Sequence, residues 1–138
     1  MSEYLISTEP ATGAELWRGA IGDAAAEVAV ASAAWPEWAA RSVSFRMEAL
    51  RRFANVVRAR GEELADLIAR ETGKPLWEAK TEVAAVIGKV EISISAYSER
   101  TPTRRLEGAL GSKVAVRHKP HGVLAVLGPY NFPAHLPN

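Results

Sequence analysis

The sequence predicts an α/β fold in which helices come first and strands follow, with a parallel sheet beginning near the C-terminal end. Two observations carry this expectation. From Asp23 to Arg100, apolar residues recur at helical spacing, and the residue types that start and stop helices stand between the runs. After Pro102 the texture changes to short alternating or continuously apolar runs separated by glycine, the pattern of strands and turns. A chain of 138 residues matches one domain and can bury roughly two-thirds of its surface.

Each element has a local reason. In "STEPATGAELWRGAI", Pro10 and Gly13 punctuate a turn, and Leu16, Trp17 and Ile21 then suggest a short extended piece. Asp23 can cap a helix toward Ala39 with Val28, Ala31 and Trp35 on one face, and Pro36 is expected to end or kink it. Ser42 or Ser44 opens a second helix carrying Phe45, Ala49, Phe53 and Val56. Gly61 separates it from a third, with Leu64, Leu67 and Ile68. Gly73 ends that helix as its C-terminal cap, and Pro75 opens the next at its first turn.

The fourth helix is expected from about Leu76 to Arg100, with a narrow apolar seam of Val83, Ile87, Val90, Ile94 and Tyr97. "EISISAY" near its end could form a strand, but the seam continues unbroken from upstream and favours helix. Strands are then expected at Arg104–Leu110, Lys113–Lys119 and Val123–Leu127. The last is apolar on both faces, as for a parallel strand covered by helices.

Composition excludes several classes. The 17 basic residues nearly cancel the 16 acidic ones, leaving a net charge of +1 and no global attraction to nucleic acid or acidic membranes. No apolar run approaches the roughly 20 residues that span a bilayer. The polar opening "MSEYLISTEPATG" lacks the basic start and apolar core of a signal peptide. A soluble cytoplasmic protein is therefore expected. With no cysteine, neither a disulfide framework nor a cysteine metal site exists within these residues.

The chemistry-bearing stretch is "VLAVLGPYNFPAHLPN". Open α/β sheets place ligands at the carboxyl ends of their strands, and Asn131 follows the expected third strand. Prolines stiffen the loop by holding the residues before Pro129, Pro133 and Pro137 extended. A side-chain amide aimed by a stiff loop offers two donors to an oxyanion. The alternative is a turn residue bonding its own backbone.

Three stretches together resemble the aldehyde dehydrogenase superfamily. "KPHGVLAVLGPYNFP" is similar to its segment in which a Lys-Pro-x-Gly turn feeds a strand ending in Pro-aromatic-Asn-Phe-Pro. "ARETGKPLWEAKTEV" resembles its Glu-Thr-Gly-Lys-Pro helix junction. "EPATGAELWRG" resembles its Asn-Pro-x-Thr-Gly opening, with Glu9 where Asn is usual. The detail of "IARETGKPLWEA" and "RHKPHGVLAVLGPYNFPAHLPN", with Tyr before Asn131 and His-Leu-Pro-Asn after it, is most similar to a branch acting on a carboxylate-bearing semialdehyde in arginine catabolism.

The resemblance implies NAD-dependent oxidation of an aldehyde in the complete enzyme. Asn131 would stabilise the oxyanion, Leu127, Gly128, Pro129 and Tyr130 would lie along the nicotinamide half of the cofactor, and Phe132, His135 and Leu136 would border the aldehyde entrance. His135 could attract substrate carboxylates as an imidazolium, or simply be solvated. Residues 1–138 would be an incomplete N-terminal portion of the cofactor-binding domain, and 103–120 would resemble strands through which the parent forms a homo-oligomer. The family's nucleophile is a cysteine, which this chain lacks, so the chain alone is expected to be inactive. Its glycine-bearing dinucleotide turn and catalytic glutamate would also lie downstream, and Glu71 and Glu78 are assigned to the helix junction.

Other signals point to blander roles. His118 and His121 flank Lys119-Pro120 and suit a turn better than a metal, because no third ligand accompanies them. Arg46, Arg51, Arg52, Arg58 and Arg60 crowd the second helix without aromatic interleaving, which suits a solvated or ion-paired face rather than a nucleic-acid surface. Two alternatives stand beside this reading: a non-catalytic helical interaction module built on the long fourth helix, or an aldehyde dehydrogenase with another aldehyde substrate.

Overall fold

A computed structural model describes residues 4–138, so the first three residues of the polar opening lie outside the described residues. The chain runs β1 (Tyr4–Thr8), β2 (Glu15–Ala20), α1 (Ala24–Ala40), α2 (Val43–Ala59), α3 (Gly61–Thr72), α4 (Leu76–Arg100), β3 (Arg104–Glu107) and β4 (Lys113–Val116). β1 and β2 form an antiparallel hairpin with Tyr4 opposite Ala20 and Ile6 opposite Arg18. The extended piece expected around Leu16 and Trp17 is β2. Its partner β1 was not expected, because "YLIST" is too short to declare itself without a neighbour.

The helices follow their capping chemistry. Asp23 accepts from the N–H groups of Ala25 and Ala26, and Ser42 from that of Phe45. Pro36 does not end α1, which continues to Ala40. The proline withholds a donor from the carbonyl of Ser32. Ser32 is exposed, so that carbonyl is not a buried orphan, and the surrounding alanines favour helix.

Gly73 caps α3 at φ 73°, ψ 9°, with its N–H donated to the carbonyl of Ala69. A Cβ there would meet only Pro10 at 3.8 Å, an ordinary contact. The requirement for glycine is therefore conformational. Gly73→Ala is expected to cost about 1–2 kcal/mol, the left-handed penalty, read as a lower denaturation midpoint. An unchanged midpoint would contradict it.

The core lies where α2 and α3 pack on α4. Ala65, Ile68, Ala79 and Val83 form its centre, with Val57, Leu64, Ile87 and Ala134 packed around them. Val86 and Val90 extend it along α4. The buried stripe is thus broader than the expected seam, and Tyr97 at the seam's far end is exposed. α1 buries no side chain.

The C-terminal third departs most from expectation. β3 and β4 pair antiparallel from Arg104–Val116 to Glu107–Lys113, and both are shorter than expected. Gly108 and a 3-10 turn at Ala109–Gly111 end β3, and β4 stops at Val116, opposite the first residue of β3. Residues 123–127 are irregular and pair with nothing among the described residues. Both sheets there are two-stranded antiparallel hairpins, so the expected parallel sheet is absent from them. A buried strand needs a neighbouring ladder and covering helices. Here Leu124 is 77% and Leu127 96% exposed.

Candidate active site

Three segments meet at one cleft of about 880 Å³: the β1–β2 hairpin, the α3–α4 junction and the loop at residues 128–133. The hairpin is fixed by polar ties to α3. The Glu71 carboxylate accepts from Ser7 Oγ at 2.6 Å and from the Trp17 indole N–H. Glu9 accepts from Thr12 Oγ1 at 2.6 Å and from Arg70 Nε at 3.0 Å. Both bonds hold the Glu9 carboxyl below the usual carboxylate range. Glu71 thus serves the junction.

The loop is fixed from beneath by an ion pair. Glu82 projects from the core face of α4, where Ala79, Val83 and Val86 are also buried, and it is 2% exposed. Its Oε2 accepts from Lys74 Nζ at 2.7 Å. Its Oε1 accepts from the backbone N–H groups of Ala134, at 2.9 Å, and His135, at 3.1 Å. Lys74 Nζ also donates to the carbonyl of Asn131 at 2.6 Å and lies 4.4 Å from the centre of the Phe132 ring. The Asn138 amide donates to the carbonyl of Val86 at 3.2 Å.

Burial pushes the Glu82 carboxyl up, but the hydrogen bonds from Lys74, Ala134 and His135 outweigh it, and the net shift is downward. A carboxyl held low in the folded chain stabilises it above the unfolded pKa, and that contribution is lost as pH falls through the folded value. Stability is therefore expected to drop below about pH 4. The Glu82→Gln protein, which cannot titrate there, should lose less over the same range. The half-buried Glu9 and the exposed Glu15, Glu63 and Glu91 shift the same way, so the difference between the two proteins isolates Glu82. Parallel curves would contradict the assignment.

Of the residues singled out from sequence, Gly128, Pro129, Tyr130, Asn131 and Phe132 line the cleft, while Leu127, His135 and Leu136 do not. Asn131 is exposed, and its side-chain amide bonds to nothing among the described residues. Gly128 sits against Pro137: a Cβ there would approach the proline Cγ to 3.0 Å. This close approach folds the loop back on itself. His135 is turned inward, its ring edge-on to Phe132 at 6.5 Å and its Nδ1 buried without a hydrogen-bond partner.

The sequence reading missed Lys74 and Glu82. The available signal was a carboxylate at position 82, on the buried stripe of α4. Elsewhere the expected surface chemistry appears: Arg51 pairs with Glu91 at 2.8 Å and Arg60 with Glu63 at 2.6 Å. Among the described residues, no group of three His, Cys, Asp or Glu could hold a metal, and no helix is long and apolar enough to cross a membrane.

Helices packed beside small antiparallel hairpins match the N-terminal part of aldehyde dehydrogenase structures. Residues 2–138 match the Aldehyde dehydrogenase family, and the chain belongs to it. It is 70% identical over 138 residues to N-succinylglutamate 5-semialdehyde dehydrogenase of Sphingopyxis alaskensis, covering 100% of this chain and 29% of that one. The enzyme of the same name from Novosphingobium aromaticivorans is 63% identical over 134 residues, covering 97% and 28%. Among solved structures, succinate-semialdehyde dehydrogenase from Burkholderia pseudomallei superimposes with a TM-score of 0.87 at 31% identity, covering 96% of this chain and 28% of that one. The chain therefore spans under a third of the length of the relatives it matches.

Proposed function

We propose that this chain forms the N-terminal portion of an NAD-dependent dehydrogenase that oxidises N-succinyl-L-glutamate 5-semialdehyde to N-succinyl-L-glutamate in arginine catabolism. The observation that carries the reading is the Asn131 loop, held at the cleft with its side-chain amide unspent. Similarity to the Sphingopyxis and Novosphingobium enzymes supports the substrate.

Asn131 donates from its amide to the oxygen that becomes negative when a nucleophile adds to the aldehyde carbon. That nucleophile is a cysteine outside these residues, since none of them is cysteine. Leu127 to Tyr130 fit a nicotinamide ring. They are exposed and form no ladder among the described residues, and Gly128, Pro129 and Tyr130 line the cleft. A nicotinamide cofactor supplies the hydride acceptor there when bound. Phe132 walls the aldehyde side of the cleft, and His135 and Leu136 border the entrance beyond it. The β3–β4 hairpin, exposed throughout, contributes to a homo-oligomer, and the enzyme works in the cytoplasm.

Reading the gene past the codon for Asn138 tests this directly. An in-frame continuation to a glycine-rich turn, a glutamate and a cysteine supports it. A stop codon there contradicts it and favours the helical interaction module.

A further inference from the structure

We propose that Lys74 and Glu82 form a positioning clamp that sets the orientation of Asn131, so that a buried ion pair beneath the loop controls oxyanion stabilisation. The inference rests on the oxyanion reading of Asn131 and adds two residues that act only through it.

The geometry is specific to the loop. Lys74 and Glu82 meet at 2.7 Å, with side chains 8% and 0% exposed. Both also bond to the same short segment, while Glu78 stands 4.0 Å from Lys74 Nζ as a second, more exposed carboxylate. Lys74 Nζ holds the carbonyl of Asn131, while Glu82 Oε1 holds the N–H groups of Ala134 and His135. The loop is thus gripped at a carbonyl on one side and at two amides on the other. Its further ties are the Phe132 ring under the ammonium, Pro137 against Gly128, and the Asn138 amide. Among the described residues, the segment before it has no ladder to fix its twist.

Energetics favour a geometric role. Taking both charges out of water costs several kcal/mol per ion, and apolar replacements of such pairs are often neutral or stabilising. A pair placed here for stability alone would be a poor choice. A pair that fixes a loop has a use no leucine could serve, because only polar side chains can donate to a carbonyl and accept from two amides. A misplacement of about 1 Å at a reacting group can cost around a hundredfold in rate.

The test is a double-mutant cycle in the full-length enzyme carrying this segment, with Lys74→Met, Asn131→Ala and the pair. Melting temperature is measured alongside kcat and KM. Lys74→Met is expected to lower kcat by about tenfold to a hundredfold with KM nearly unchanged. In the Asn131→Ala background it should lower kcat by less than about threefold, because the residue it positions is gone. Should Lys74→Met fail to fold, Glu82→Gln takes its place, keeping an acceptor oxygen and the side-chain shape. Losses that multiply independently, or a substitution that lowers the melting temperature and leaves kcat intact, would overturn the clamp alone. An unchanged kcat in Asn131→Ala would overturn the oxyanion reading itself, and the clamp's catalytic role with it.

Discussion

Replacing Asn131 by Ala in the full-length enzyme should lower kcat by about a hundredfold to a thousandfold, equivalent to roughly 2.7–4 kcal/mol of barrier. In the proposed oxyanion role, the magnitude is that of losing one donor to a charge that develops only in the transition state. KM should change little, because the ground-state aldehyde oxygen carries little charge to stabilise. Folding should be unaffected, since the side chain is exposed and bonds to nothing among the described residues. Steady-state kinetics with a melting curve separate these effects. A raised KM with normal kcat would assign Asn131 to substrate binding instead.

The second large effect is on stability. Glu82→Ala should cost about 3–5 kcal/mol, the range for breaking one side of a buried ion pair. The substitution removes the buried carboxylate from the Lys74 ammonium, only 8% exposed and left with the Asn131 carbonyl and Glu78 at 4.0 Å, and frees the N–H groups of Ala134 and His135. Glu82→Gln should cost less, because an amide oxygen can still accept one of these bonds. Denaturant titration of both proteins checks the order. Equal losses would mean that the charge, which both variants lack, rather than the volume and acceptor oxygen that Gln retains, holds the site together.

Local chemistry made the helical part of the chain legible. Asp23, Ser42 and Gly73 act as caps where their side chains or backbone freedom suit them, and α4 runs from Leu76 to Arg100 as its apolar spacing indicates. These features depend on residues a few positions apart. Strands depend on distant partners, which explains the errors. "YLIST" becomes β1 only by pairing with β2. Conversely, Val123–Leu127 has a strand's composition but pairs with nothing among the described residues.

The site divides the same way. Asn131 stood out because prolines and a glycine frame it in sequence. The Lys74–Glu82 pair did not, because the loop that gives it a purpose lies 57 residues beyond Lys74. A buried glutamate and a surface glutamate look alike when spacing alone is considered. The one clue was position 82 on the buried stripe of α4, and weighing that charge against its apolar neighbours would have raised the question.

The most direct measurement is an oxidation assay of the full-length enzyme carrying this segment. It would be supplied with N-succinyl-L-glutamate 5-semialdehyde, with succinate semialdehyde as the competitor and with NAD and NADP in turn. The account predicts that reduced cofactor and N-succinyl-L-glutamate form in equal amounts, with kcat/KM highest for the succinylated substrate and NAD. No oxidation of that aldehyde, or a clear preference for the smaller one, would contradict it.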